Sequence, residues 1–337
     1  MKAVRLWLCG LGLLAGAARA QRVEFAWPTP NRAFDEGRPI AAYLQQAGSG
    51  DPASGGFGCV RSDGRQFHEG IDVQPVSRDR RGEPDDPVFA AMDGVVRYVN
   101  LTPGNSSYGR YVVLEHPGVQ PAIYTLYAHL ERVAPEIRPG AAVRRGETLG
   151  RMGHSAGGYT IPKDRAHLHF EMGVMLSQNF QAWYDGKRFG SRNEHGLYNG
   201  YNLMGFDPLA FLRDYRDHRL DNFQQFFDHM APAATVRIAT TQVPDFVRRY
   251  PSLVVKRAVG LIAGWEVSVD WTGLPFRWVP LSADEVRGWR RDEVRVISVD
   301  NATERRYQCK SVAVLRRGQW IPGASLDETL QIVFGRR

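Results

Sequence analysis

Two short stretches hold side chains suited to binding a cation. In His68-Glu69-Gly70-Ile71-Asp72 an imidazole and a carboxylate lie four residues apart, with a glycine between that permits a tight backbone. In extended chain, positions i and i+4 face the same side, so both groups can turn toward one metal ion. In His167-Leu168-His169-Phe170-Glu171 polar and apolar residues alternate. On a strand His167, His169 and Glu171 share one face, while Leu168 and Phe170 enter the core. Each pattern alone also fits an ordinary polar strand face. Together they offer three nitrogen or oxygen ligands with room for water, the usual design of a catalytic zinc centre. Tyr127-Ala128-His129-Leu130 adds a further imidazole at the end of an expected strand. No histidine follows His229, so imidazole chemistry belongs to the first part of the chain.

The elements that must hold these groups are short strands. Val88–Ala91, Gly94–Val99, Tyr111–Glu115 and Tyr124–Tyr127 are rich in β-branched and aromatic residues and are broken by Gly and Pro. Strands this short, with no helices between them, point to an antiparallel β core. Residues 21 to about 55 are rich in turn formers and read as loop. Asp207-Pro208-Leu209 has the signature of a helix start, with Asp207 as N-cap and Pro208 in the first turn. A second helix is expected from about Leu220 to Met230. Beyond a linker at Pro232-Ala233-Ala234, strands are expected at 252–255, 265–271, 294–299 and 311–315, with a helix at 283–289. Core packing is the primary reading of Trp265, Trp271, Trp278, Trp289 and Trp320, and stacking on sugars the alternative.

The chain has 337 residues, 43% hydrophobic and 23% charged, enough for two domains with buried cores. Its first twenty residues carry Lys2 and Arg5, then an apolar run from Leu6 to Ala17, then Ala18-Arg19-Ala20. That is the pattern of an export signal cut after Ala20, and the run is too short to span a bilayer. Cys9 lies in this run without a lipid-attachment motif around it. No later segment is apolar enough for a membrane span. The formal charge is +7, of which Lys2, Arg5 and Arg19 supply three, so the processed chain would be mildly basic. No Lys/Arg run with interleaved aromatics suggests nucleic acid. Mild positive charge suits approach to an anionic wall or membrane surface. Cys59 and Cys309 would remain, able either to pair or to stay free in an oxidising compartment.

The ordered blocks His68–Asp72, Val88–Val95, Tyr108-Gly109-Arg110-Tyr111-Val112, Tyr127–Leu130, Val143–Gly150 and His167–Glu171 together resemble the M23 (lysostaphin/LytM-type) zinc metallopeptidases. The resemblance covers roughly residues 57–173. It implies one Zn2+ per chain held by His68, Asp72 and His169, with His129 and His167 as catalytic histidines beside the metal-bound water. It does not say which of those two is the general base. Glu171 is left either as a support to a ligand or as a plain strand acid. His154 would border the groove, His116 would end a strand at a turn, and His195, His218 and His229 read as surface or structural. The segments 78–87 and 159–166 are longer than the family pattern and would rim the groove.

The resulting expectation is an α+β fold, mainly β. It comprises a signal at 1–20, an N-terminal extension at 21–56, an antiparallel-sheet M23 peptidase domain with a helical extension at 57–218, and a smaller α+β C-terminal domain at 219–337. The implied activity is endopeptidase cleavage of peptidoglycan stem-peptide cross-links outside the cytoplasm. Two alternatives remain: a non-catalytic wall-binding or amidase-regulating relative, and a zinc D-Ala-D-Ala carboxypeptidase. The latter would need an E-x-x-H element, which does not complete the set here.

Overall fold

The computed structural model describes residues 22–307 and 309–336. The expected export signal lies outside the described residues. No helix among the described residues is long and apolar enough to cross a membrane.

The strands of the first part run, in chain order, β1 (Gly58–Arg61), β2 (Gln66–His68), β3 (Ile71–Val73), β4 (Pro87–Phe89), β5 (Gly94–Asn100), β6 (Arg110–Glu115), β7 (Tyr124–Val133), β8 (Ala142–Val143), β9 (Thr148–Met152), β10 (Leu168–Met175) and β11 (Leu203–Phe206). β1 and β2 form a separate hairpin. The other nine make one antiparallel sheet with the path β11-β10-β7-β6-β5-β8. β3 pairs with the front half of β10, on the edge whose rear half carries β11. β9 joins β4 to the rear of β7.

The alternation along β10 is what commits it to this position. Leu168 and Phe170 are fully buried, on the side opposite His169. Each such side chain contributes roughly 1.5–3 kcal/mol relative to exposure. A one-residue slip would exchange them for the histidines, so burial fixes the register of the site.

Helix α1 (Phe180–Lys187) precedes β11, and α2 (Pro208–Arg216) follows it. The Asp207 carboxylate accepts from the Leu209 amide at the start of α2, with Pro208 in the first turn as the sequence requires. The second expected helix is confined to α3 (Phe223–Asp228), whose Phe223 and Phe227 pack on Phe206 and, for Phe223, on Phe211.

The C-terminal part holds β12 (Ala234–Ile238), α4 (Asp245–Arg249), β13 (Gly264–Val269), β14 (Pro275–Leu281), β15 (Val294–Val299), α5 (Asn301–Arg306), β16 (Ala313–Arg316), β17 (Gln319–Pro322) and α6 (Ala324–Phe334). Its four-stranded antiparallel sheet has the order β14-β13-β12-β15, and β16-β17 is a hairpin. Trp265 and Trp278 are buried between these elements, so both serve the core.

Three expectations are corrected. Residues 252–255 are not a strand: Pro251 presets a 3-10 turn over Pro251–Leu253, and only Val254 bridges to Trp278. Residues 283–289 are turns, not a helix, because Gly288 at φ +79° ends the segment before a helix can propagate. Residues 21–55 do more than loop. Trp27, Phe34 and Tyr43 form a buried aromatic cluster, and Leu44 bridges to Val73 of β3.

The C-terminal part is bound directly to the sheet. The Tyr250 hydroxyl accepts from the Met175 amide at the end of β10, and Asp245 accepts from the Gln178 amide. Cys59 of β1 and Cys309 form a disulfide, with Cα atoms 5.6 Å apart.

Candidate metal centre and active site

Register assembles the site. On β10, His169 pairs with Asp72 of β3 on one edge and with Ala128 of β7 on the other. His68 reaches the same point differently from the simple extended reading. The chain bends at Glu69 and Gly70 between β2 and β3, so the two residues are not on one continuous strand. Gly70 permits the bend, since a Cβ there would sit 2.3 Å from the Phe170 carbonyl oxygen.

Three atoms then converge. His68 Nε2 lies 3.0 Å from His169 Nδ1, and Asp72 Oδ1 lies 3.1 Å from each. Ligands at about 2.0–2.1 Å around a tetrahedral ion stand roughly 3.3 Å apart, so the set fits one zinc-sized cation with little adjustment. The other nitrogen of each ring is already engaged. His68 Nδ1–H donates to the Gly56 carbonyl at 2.6 Å, and His169 Nε2–H donates to Glu171 Oε1 at 3.0 Å. These bonds fix the tautomers and turn both remaining lone pairs toward Asp72. Two imidazole lone pairs and a carboxylate oxygen facing one another in a buried site require a cation or a proton between them.

The electrostatics agree with that requirement. Burial opposes the Asp72 charge, yet His167, His68 and His169 close around it hold its carboxyl well below the usual range. Burial also opposes charge on His169, but its bonds to Asp72 and Glu171 push it up to about 9. The site is built for positive charge.

Glu171 is not a surface acid. It is 1% exposed, and besides His169 it accepts from the Tyr108 hydroxyl at 2.6 Å and the Tyr124 hydroxyl at 2.8 Å. Burial and the negative Glu171 raise both phenols well above their usual range, so both remain donors. Tyr108 belongs to one of the sequence blocks, but its partner is 63 positions away and nothing in the spacing links them.

His129 and His167 stand beside the three-atom cluster, with ring centroids 4.8 Å apart. β7 does not end at His129, as expected, but continues through it with a bulge. Pairing with β6 jumps from Val112↔Tyr127 to Arg110↔Leu130, and His129 takes φ +61°. A bulge re-aims a side chain, and a non-glycine residue at positive φ stores strain of the kind found at functional sites. His129 Nδ1–H donates to the Ser155 carbonyl at 2.8 Å, and His167 Nδ1–H donates to the Arg165 carbonyl at 2.7 Å. Each ring therefore keeps Nε2 unprotonated; that of His129 has no partner among the described residues, and that of His167 lies 3.4 Å from Asp72 Oδ1. Burial, then the neighbouring histidines, hold His129 well below its ordinary value; burial also lowers His167. Both are neutral bases near neutral pH.

The two rings and Asp72 open on a cavity of about 760 Å³. Its walls come from the N-terminal extension, the β1-β2 hairpin and the loop before β10, including Ser54, Arg61, Tyr159 and Arg165. Arg61, which no sequence motif singled out, donates from Nη2 to Asp72 Oδ2.

The remaining histidines are structural or peripheral. His116 is fully buried and bonded to the Asp93 carbonyl and the Thr125 hydroxyl. His195 bonds to Tyr98 and the Asn105 carbonyl. His154 does not line the cavity. It contacts Glu83 Oε2 at 3.1 Å and the Ile161 carbonyl, tying one long segment to the other. Arg78 donates across the same gap to the carbonyls of Lys163 and Asp164.

An antiparallel sheet thus gathers His, Asp and His at a cation-demanding point, with two further imidazoles open to a cleft. Residues 66–181, roughly a third of the chain, match the model of peptidase family M23, and this region belongs to that family. Among solved structures the chain is similar to a putative glycyl-glycine endopeptidase lytM from Ruminococcus gnavus (24% identity, 45% of this chain and 47% of that one, TM-score 0.29). It is also similar to a zinc containing peptidase from Vibrio cholerae (27% identity, 45% and 37%, TM-score 0.30). A third similar structure is the catalytic domain of lysostaphin from Staphylococcus simulans (18% identity, 52% and 95%, TM-score 0.30). The match thus spans less than half the length of each of the first two. No curated protein matches the chain.

Proposed function

We propose that this protein is an exported zinc-dependent endopeptidase that hydrolyses peptide cross-links of bacterial peptidoglycan. The observation that carries the reading is the convergence of His68 Nε2, Asp72 Oδ1 and His169 Nδ1 within 3.1 Å of one another, with both opposite ring nitrogens already bonded. A zinc ion held there would acidify water and polarise a peptide carbonyl. His129 and His167, neutral and each with Nε2 unprotonated, are suited to take a proton from the attacking water and to return one to the leaving amine. Protonated, either would stabilise the developing oxyanion. Glu171, braced by Tyr108 and Tyr124, keeps the His169 ring in its ligating orientation. Export is supported by the N-terminal sequence pattern, and the cell-wall substrate by the family.

The test is joint measurement of metal content and hydrolysis. The purified protein is expected to bind one zinc and to release cleaved stem peptides from cross-linked muropeptides. His169→Ala should lose both, while His129→Ala should keep the metal and lose at least about a hundredfold in rate. A protein that binds zinc in full yet cuts no cross-link would support the non-catalytic relative instead. If the parent lacks zinc and His169→Ala cuts as well as the parent, the metal reading fails.

A further inference from the structure

We propose that Arg61 and Arg165 form a carboxylate-binding subsite beside the metal centre, so that the preferred substrate carries a free carboxylate next to the bond that is cut. The inference rests on the endopeptidase reading and narrows its substrate.

Both arginines line the cavity that holds Asp72, His129 and His167. Arg61 is tied through one nitrogen, Nη2, to Asp72 Oδ2, and its Nε makes a long bond of 3.4 Å to the Ser54 carbonyl. Its Nη1 has no hydrogen-bond partner among the described residues, and the side chain is 26% exposed. The Arg165 side chain has neither ion pair nor hydrogen bond among the described residues. Its Nη1 packs against Gly48 of the N-terminal extension, where a Cβ would stand 2.4 Å away.

Of the acids on the same walls, only Asp72 pairs with either arginine, and it engages Arg61 through Nη2 alone. Asp51 caps a 3-10 turn by accepting from the Ala53 amide. Asp63 faces solvent at 92% side-chain exposure and meets Arg65. Asp72 is shared with three histidines. Two guanidinium groups therefore face a solvent-filled cleft with unused donors, and a guanidinium fork matches a carboxylate.

Position gives the subsite its meaning. Arg61 touches the far oxygen of a proposed metal ligand, so a carboxylate gripped by its outer nitrogen lies within about a residue of the scissile carbonyl. A D-alanyl amide to the side-chain amine of diaminopimelate has such a group, on the carbon that bears the amide nitrogen. A glycine bridge has none. The arginine is also held firmly. Its hairpin is fixed by the Cys59–Cys309 disulfide and by Trp271 against Phe57 and Phe67, so little ordering is required on binding.

The experiment uses the full zinc-loaded chain and a product that cannot be cut. A dye-labelled diaminopimelate-containing stem peptide and its carboxamide at that one carboxylate are titrated by fluorescence anisotropy. The carboxylate form is expected to bind about tenfold or more tightly than the carboxamide. Arg165→Gln and, separately, Arg61→Gln should each reduce that preference to about threefold or less, with zinc content measured alongside. Arg165→Gln, away from the ligands, should keep full zinc. Equal binding of the two peptides by the parent overturns the proposal, as does an undiminished preference in both variants. Cleavage of cross-linked dimers is scored separately. Cleavage without carboxylate preference sinks only the subsite, and preference without cleavage sinks only the endopeptidase reading.

Discussion

Glu171→Gln isolates the support beneath the metal centre. The substitution preserves shape and burial but removes the charge that receives the His169 Nε2–H. In the parent, one carboxylate accepts three bonds: 3.0 Å from His169, 2.6 Å from Tyr108 and 2.8 Å from Tyr124. A carboxamide offers one oxygen, so its NH2 must face a phenol that has to rotate and accept instead. Loss of an outer carboxylate partner usually weakens metal binding 10–100-fold, or about 1.4–2.7 kcal/mol. Glu171 is 1% exposed, so water cannot replace the lost acceptor, and the upper half of that range is expected. The assay is competition for zinc against a chromophoric chelator at fixed pH, with circular dichroism to confirm the fold. Tyr108→Phe, which leaves the His169 bond in place, should weaken zinc by no more than about fivefold. If Glu171→Gln binds zinc within about twofold of the parent, the carboxylate does not tune the ligand and the reasoning is wrong.

Two further outcomes follow from the fold. His116 is fully buried, and burial lowers its pKa to about 4 despite its bond to the Asp93 carbonyl. The unfolded chain, with an imidazole near 6.5, takes up the proton first as pH falls, so stability is lost progressively between about 6.5 and 4. From pH 7 to 5 the parent should lose about 2 kcal/mol more than His116→Asn in urea titrations, and parallel losses would refute the assignment. Gly70→Ala would drive a Cβ to within 2.3 Å of the Phe170 carbonyl and 2.9 Å of Glu171 Cγ, forcing β3 away from β10. A loss of about 1–3 kcal/mol with reduced zinc stoichiometry is expected, and unchanged stability would show that the close approach does not matter.

The strand alternation of Leu168 and Phe170 against His167, His169 and Glu171 could be read directly, because burial of one face is a local pattern with a period of two. Asp207-Pro208 was equally readable, since a helix cap depends only on neighbouring residues. The helix expected at 283–289 failed because a single glycine at positive φ outweighed the local propensity. The aromatics of the N-terminal extension were missed because Trp27, Phe34 and Tyr43 follow no helical or strand period. They are buried by wrapping onto the sheet.

The residue types of the centre, and the strand that carries His169 and Glu171, were therefore written in the chain's order. Four facts came only from folding. His129 sits on a strained bulge, Glu171 lies beneath His169 with two tyrosines, Arg61 meets Asp72, and Cys59 joins Cys309 across a separation of 250 positions. The reason is physical: periodicity fixes which way a side chain faces, whereas sheet register and loop closure decide which distant groups it meets there.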